Sequence, residues 1–226
     1  MLGDLGDGRT SGGHVKLNSG LESCNRNSQP RLEGFLRHSL KILVATAAVV
    51  LVLPSAILSG FGRIKPVFTF FAHAYALGPG IVGDYLRVAY YVLTLRNCSW
   101  ECQICFGSYF AHREATVGRF AGIGPYCVVG RVAIGERTKI GGMTQILSGS
   151  QQHARDSEGR LTSEGGMFTE IVIGSDCWIG VSSVVAADIG SGASVAAGSV
   201  VLTPVPPGVV VAGNPAKKVW PLAAHT

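Results

Sequence analysis

Two histidines of the chain, His112 and His153, have the chemistry of a general base. His153 is the only histidine in a polar stretch that spans residues 148–170. A neutral imidazole, with a pKa of about 6.5, can accept a proton from an attacking hydroxyl or amine near neutral pH. His112 is the alternative base, or a residue that contacts an acceptor, and either histidine could equally have a structural or surface role.

Cysteine spacing raises a second kind of chemistry. Three of the six cysteines form a C-x3-C-x2-C cluster: Cys98, Cys102 and Cys105. No fourth Cys or His follows at zinc spacing unless His112 serves, and a three-histidine zinc centre would also need His153 and the terminal His225. We therefore predict reduced thiols in an intracellular compartment and no metal.

Composition narrows the class of protein. The 226 residues suffice for one folded domain and an attachment segment, and charged residues make up only 15%. The mean hydropathy of +0.33 is apolar for a soluble protein. The net charge of +5 comes from scattered basic residues without interleaved aromatics, which argues against nucleic-acid binding. A surplus of this size suits anionic lipid or a phosphorylated ligand.

The N-terminal part of the chain predicts a tail and a membrane-attachment region. Residues 1–30 are rich in Gly, Ser, Asn and Asp and are predicted to be disordered. Within the attachment region, residues 31–96, the segment 42–61 is uncharged and meets the requirement of about 20 residues for a bilayer helix. A second helix, at about 82–95, has an apolar face and a face with Asp84, Arg87 and Tyr91, which suits the membrane surface.

Charges around the apolar segment predict an unusual topology. Basic residues precede it at Arg37 and Lys41 and follow it at Arg63 and Lys65. The positive-inside rule places both flanks in the cytoplasm, which one crossing cannot satisfy. A re-entrant segment bent near Pro54 would satisfy it, and the domain that follows would then be cytoplasmic on the inner or plasma membrane.

A six-residue repeat dominates residues 97–226. One aliphatic or aromatic residue recurs every six positions: Ile104 and Phe110; Val117, Ile123 and Val129; Ile134, Ile140 and Ile146; Ile173, Ile179 and Val185; Ile189, Val195 and Val201. A period of six is neither that of a sheet nor that of a helix, and it predicts short strands stacked in triangular coils. Corner glycines such as Gly118 and Gly180 are expected to adopt backbone angles that other residues avoid. Residues 148–170 interrupt the repeat as an extruded loop.

The segment 173–219, with its WIG, AAGSVV and AGNPAK elements, resembles the C-terminal signature of the hexapeptide-repeat acyltransferases. The preceding GPGIVGDYLRVAYYVLTLRNC resembles membrane-associated members that act on surface polysaccharides and glycolipids. The resemblance implies an all-β domain folded as a left-handed parallel β-helix. It also implies a homotrimer with active sites between subunits.

The resemblance further implies roles for individual residues. It assigns the catalytic base to His153, in the extruded loop. The acetyl-CoA groove would contain Gly180, Val181, Ala197 and Gly198, with the phosphates near Lys217 or its neighbour.

The activity expected from these roles is acetyl transfer from acetyl-CoA to a hydroxyl or amine of a sugar, in a surface polysaccharide or a lipid-linked glycan. The alternative is a non-catalytic trimeric β-helix scaffold.

Overall fold

The computed structural model of the chain describes residues 29–149, 153–162 and 168–219. The chain divides into two units, residues 1–43 and 44–226. The described part of the first unit, residues 29–43, is helical, and the second unit contains all of the other elements. Of the tail predicted to be disordered, residues 1–28 lie outside the described residues.

From residue 29 onwards, where the description of the chain begins, three helices precede the β-domain: α1 (Gln29–Leu58), α2 (Lys65–Ala76) and α3 (Gly80–Thr94). Within the described residues, one helical window, Ser39–Leu58, is long and apolar enough to cross a membrane, and only 22% of it is buried. Such exposure of an apolar helix distinguishes it from the core helix of a soluble protein. Pro54 lies inside helix α1, and the re-entrant topology stays a prediction.

The third helix differs from the prediction in the face that it buries. Arg87, Tyr90 and Tyr91 are fully buried, whereas Ile81 and Val82 are among the most exposed apolar side chains. The prediction that Arg87 and Tyr91 lie on the polar, solvent-facing side is therefore wrong. The hydroxyl of Tyr91 accepts a hydrogen bond from the backbone N–H of Phe110 at 3.2 Å, which attaches α3 to the first coil of the β-domain.

The described residues after α3 form eighteen short strands. Sheet A contains β1 (Asn97–Cys98), β4 (Thr116–Val117), β7 (Val132–Ile134) and β12 (Ile171–Ile173). Sheet B contains β2 (Gln103–Ile104), β5 (Gly122–Ile123), β8 (Lys139–Ile140), β13 (Trp178–Ile179), β15 (Ser194–Val195), β17 (Val210–Ala212) and β18 (Lys217–Val219). Sheet C contains β3 (Tyr109–Phe110), β6 (Val128–Val129), β9 (Gln145–Ile146), β14 (Val184–Val185) and β16 (Val200–Val201). A separate pair, β10 (Ala154–Arg155) and β11 (Leu161–Thr162), lies in the loop.

The chain passes from sheet A to B to C in each of about six coils, so the β-domain is a parallel solenoid. This confirms the predicted fold class, a β-helix of hexapeptide repeats preceded by a helical region. All fourteen residues of the six-residue register are buried, with exposures of 3% or less. The three edges of the solenoid are named here the AB, BC and CA corners, after the sheets that they connect.

Corner glycines are required for a reason other than the one predicted. Gly118 and Gly180 do not have positive φ, whereas Phe120, Arg137 and Ser182 do. A Cβ added to Gly180 would lie 2.4 Å from the backbone nitrogen of Ala197, in the next coil. The coils therefore stack so closely that a side chain has no room at this position.

Candidate active site

The extruded loop leaves the solenoid at the CA corner, between β9 and β12. Its base is held by Ser148, whose hydroxyl accepts a hydrogen bond from the N–H of Arg131 at 2.8 Å and whose carbonyl accepts one from Thr169 at 3.0 Å. The described middle of the loop is an antiparallel hairpin of β10 and β11. His153 directly precedes β10 and is exposed. The loop residues 150–152 and 163–167 lie outside the described part of the chain.

The positions expected to contact acyl-CoA lie along the BC corner. Gly180 and Val181 follow β13, and one coil later Ala197 is level with Val181 and is followed by Gly198. The N–H of Gly198 donates to the carbonyl of Val181 at 2.9 Å, which stacks the two turns. Lys217 begins β18, which pairs antiparallel with β17 of the following coil. Val181, Ala197 and Gly198 are exposed, Gly180 is buried, and we call this row of residues the BC groove.

His153 and the BC groove thus belong to different edges of the solenoid. The loop emerges where sheet C passes to sheet A, whereas the groove lies where sheet B passes to sheet C. Within the described part of one chain, the expected base and the expected acyl-CoA positions start from separate corners.

His112 occupies a cavity on the CA corner, below the extruded loop. The cavity has a volume of about 260 Å³. His112 follows β3 of the first coil, and Phe168, from the returning end of the loop, covers its ring with centroids 5.0 Å apart. The alternative base therefore lies on the same corner as the loop that carries His153.

Four cationic side chains line this cavity together with one carboxylate: Arg63, Lys65, Arg113, Arg131 and Glu114. Burial of the ring is the first cause that lowers the pKa of His112, and the positive charges of Lys65 and Arg131 lower it further. Glu114 acts in the opposite direction. Because the net effect favours the neutral imidazole, His112 can accept or donate a hydrogen bond near neutral pH.

The turn between α1 and α2 brings Arg63 and Lys65 to the cavity. Gly62 in this turn has φ +82°, and an added Cβ would lie 2.6 Å from the carbonyl oxygen of Thr94. The N–H of Gly62 also donates to the hydroxyl of Ser59 at 3.3 Å. A glycine is needed here because the turn packs directly against the end of α3.

Arg87, predicted to lie on the polar face of α3, instead connects this helix to the first coil and to the segment before it. Its Nε donates to the carbonyl of Ile104 at 2.9 Å, and its Nη1 donates to that of Gly78 at 2.7 Å. Its Nη2 is paired with Asp84. The Gly-Pro-Gly break at residues 78–80, which leaves carbonyls without helical partners, is the sequence signal that could have located it.

The remaining candidates have different environments. The Sγ atoms of Cys98 and Cys102 are 3.7 Å apart, and this hydrogen bond, together with burial, raises the pKa of Cys98. In the described ranges, no three His, Cys, Asp or Glu side chains are grouped as a metal site requires, and His225 lies outside these ranges. Trp178 is 68% exposed, because Ile179 takes the inward position of β13.

No protein-family model matches the sequence, and a search of curated proteins also gave no match. The hexapeptide-repeat-containing acetyltransferase VCA0836 from Vibrio cholerae is 24% identical with a TM-score of 0.57, over 72% of this chain and 93% of that chain. The polySia-specific acetyltransferase NeuO is 23% identical with a TM-score of 0.46, over 57% of this chain and 66% of that chain, just under two thirds. An N-acyltransferase from Bacillus cereus, AntD, solved as a mutant with a dideoxy-amino sugar nucleotide and coenzyme A, is 16% identical with a TM-score of 0.45, over 52% of this chain and 68% of that chain. The likeness to the Vibrio cholerae protein shows that this chain has the parallel β-helix fold of a hexapeptide-repeat acetyltransferase.

Proposed function

We propose that this chain is an acyltransferase that moves an acetyl group from acetyl-CoA to a hydroxyl or amine of a sugar. The observation that carries the proposal is the pairing of two features on one solenoid: a histidine-bearing loop extruded from the CA corner and a groove of small residues along the BC corner. The fold shared with an acetyltransferase supports it. A surface polysaccharide or a lipid-linked glycan is the acceptor class that we propose.

In this mechanism His153 removes the proton from the acceptor as its oxygen or nitrogen attacks the thioester carbonyl. A carbon–oxygen or carbon–nitrogen bond forms, and the carbon–sulfur bond of the thioester breaks. The imidazolium then protonates the departing thiolate of coenzyme A. The thioester is already activated, so no acyl-enzyme is needed, and a backbone N–H beside the loop would stabilise the oxyanion.

Acyl-CoA would lie in the BC groove. It would pass the exposed residues Val181, Ala197 and Gly198, whereas Gly180 is buried against the next coil. Lys217 is exposed at the end of the groove, where a cation can pair with the phosphates of coenzyme A.

The active unit that we propose is a homotrimer. Because the loop with His153 and the BC groove start from different corners of one chain, a neighbouring subunit would supply the second half of each site. Non-polar area at such an interface would come from the exposed outer residues of the sheets, of which Trp178 is the largest.

We also propose that the window Ser39–Leu58 anchors the enzyme in the membrane and that the solenoid faces the cytoplasm. Acyl-CoA is a cytoplasmic metabolite, and the basic residues Arg63 and Lys65 directly after the helix agree with a cytoplasmic position. A membrane anchor places the site near lipid-linked sugars.

The test measures acetyl-CoA binding and thiol release by the 226-residue chain in detergent, for the native protein, His153→Ala and His112→Ala. The helices are kept because Arg87 and Tyr91 join them to the first coil. We expect His153→Ala to bind acetyl-CoA normally and to lose about 10²- to 10⁴-fold in turnover.

His112→Ala is the matched control, since both variants remove one imidazole from the CA corner. If only His112→Ala loses turnover, His112 is the base and the role of His153 is wrong. If the folded native protein binds no acetyl-CoA, the proposed function is wrong, and the scaffold remains.

A further inference from the structure

The four cations that line the CA-corner cavity form no ion pair with a described carboxylate, unlike several arginines elsewhere in the β-domain. Four arginines elsewhere on its described surface form ion pairs with acidic residues: Arg96 with Glu170, Arg119 with Glu101, Arg137 with Asp176 and Arg160 with Glu158. Among the described residues, Arg63, Lys65, Arg113 and Arg131 have no ion pair, although Glu114 lines the same cavity. Four cations and one carboxylate leave the cavity with an excess of positive charge, which is unfavourable unless an anion binds.

Arg131 adds a second observation. Its Nη1 donates to the carbonyl of Phe168 at 3.3 Å, which orients the guanidinium under the loop. Its Nε is buried and has no hydrogen-bond partner in the described structure. A buried N–H without an acceptor is costly, and an anionic oxygen in the cavity would satisfy it.

From these contacts we infer that the CA-corner cavity binds a phosphoryl group, and that this group belongs to the sugar acceptor. The inference rests on the proposed function for the second part only. Arginine forks match the oxygens of phosphate in a bidentate manner, and Arg113 and Arg131 are both partly buried at the cavity, where water screens them less.

The size of the cavity sets which part of a ligand it holds. Its volume of about 260 Å³ is just below the range of roughly 300–1,000 Å³ that is usual for sites that enclose a whole small molecule. The cavity therefore accommodates a phosphate or diphosphate, while the attached sugar would extend along the CA corner towards the loop. Phe168 lies where the cavity meets the extruded loop, since it lines the cavity and belongs to the returning end of the loop.

Position favours a phosphate that belongs to a lipid. Arg63 and Lys65 come directly after α1, whose last residues, up to Leu58, end the apolar window. A phosphoryl group at this place would lie at the level where lipid headgroups meet water. A soluble sugar nucleotide carries the same chemistry, and the experiment separates the two sources.

The experiment measures the affinity of inorganic pyrophosphate for the 226-residue chain in nanodiscs of phosphatidylcholine, by calorimetry. The variants are Arg113→Gln and Arg131→Gln. The matched control is Arg137→Gln, which removes the same charge from the AB corner. We expect each cavity variant to weaken binding at least about tenfold, and the control to stay within about twofold of the native protein.

A second arm identifies the source of the phosphate. Nanodiscs that also contain a polyprenyl monophosphate are expected to weaken pyrophosphate binding by competition, whereas a nucleoside diphosphate added to plain nanodiscs would compete if the natural ligand is soluble. Either form of competition supports a phosphoryl site. Normal pyrophosphate affinity in both cavity variants, or an equal loss in Arg137→Gln, would overturn the inference.

Acetyl-CoA is titrated into the same samples. If acetyl-CoA binds and pyrophosphate does not, this inference fails while the proposed function stands. If pyrophosphate binds and acetyl-CoA does not, the anion site stands and the proposed function fails. Thermal unfolding of each variant shows whether a loss reflects folding instead, and Arg113→Gln provides the second variant if Arg131→Gln does not fold.

Discussion

The AB and CA corners of the solenoid use arginine in opposite ways. On the AB corner, Arg119 binds Glu101 through two hydrogen bonds of 2.5 and 3.1 Å. In a later pair of coils, Arg137 binds Asp176 through hydrogen bonds of 2.7 and 2.8 Å and also contacts Glu136. Each of these arginines has a carboxylate partner in a neighbouring coil, so this corner balances its own charge.

On the CA corner, Arg96 pairs with Glu170, but the basic residues of the cavity have no ion pair among the described residues. Arg113 and Arg131 come from successive coils, and the turn before α2 adds two further cations. The two corners have the same repeat and the same residue types. The comparison shows that residue type alone does not reveal the role of an arginine. An arginine with an ion-pair partner stabilises the fold, whereas one without such a partner is available to a ligand.

The largest effect of removing a paired arginine is expected at Arg87, which is fully buried and forms an ion pair with Asp84. Replacing it with Met leaves the carbonyls of Ile104 and Gly78 without donors. We expect Arg87→Met to lower the free energy of unfolding by about 3 kcal/mol, the lower end for a broken buried ion pair, since Asp84 is partly exposed. Denaturant unfolding followed by circular dichroism measures it. Arg119→Met, at an exposed pair, is the control, and equal losses in both variants would contradict the comparison.

The pH dependence of the protein's stability tests the excess of positive charge around His112 on the CA corner. Burial, Lys65 and Arg131 hold its folded pKa below the usual value of about 6.5, against the opposing effect of Glu114. As pH falls below about 6.5, the unfolded chain takes up the proton first, so stability falls until the folded pKa is passed. Above that range the imidazole is neutral in both states and contributes no pH dependence.

The measurement is a comparison of thermal midpoints at pH 7.5 and pH 5 for the native protein and for His112→Gln. We expect a smaller acid-induced drop in the variant, and the exposed His153→Gln as a control should behave as the native protein does. Pyrophosphate should raise the pKa of His112, followed by NMR of the imidazole, because an anion would offset the neighbouring cations. An unchanged pKa at saturating pyrophosphate would count against the anion site.

The smallest effect is expected at the AB corner. Arg137 holds the pKa of Asp176 below its ordinary value through a hydrogen bond, but both side chains are about half exposed. Such pairs are weakened by salt and by side-chain entropy. Arg137→Gln should therefore leave the thermal midpoint nearly unchanged, and 1 M salt should remove what difference remains. A large, salt-independent loss would show that this pair is structural in a stronger sense than its exposure suggests.

The repeat was predictable because it is a local property. One apolar residue per short strand is enough to specify which side chain faces inward, and every register position from Ile104 to Val201 is buried. The long interruption at 148–170 was equally visible, since it breaks the period. The role of the corner glycines was not, because the requirement at Gly180 comes from a backbone atom of the next coil.

The candidate site was predictable only in part. His153 and the residues of the BC groove stand out in the sequence, and their roles remain predictions. The partners of His112 could not be predicted, because Lys65, Arg131 and Phe168 come from a helix, a coil and the end of a loop that are far apart in sequence. A residue pattern carries no signal for such an assembly.

The sequence by itself determined the six-residue period, the inward register, the extruded loop and the apolar helix, since each depends on side chains that are near neighbours along the chain. Only the tertiary structure decided that Arg87 is buried, that the loop and the groove occupy different corners, and that four cations share one cavity. Stacking of the coils sets these relations, because it brings together residues that no local rule connects. Burial then determines which of their charges must find a partner.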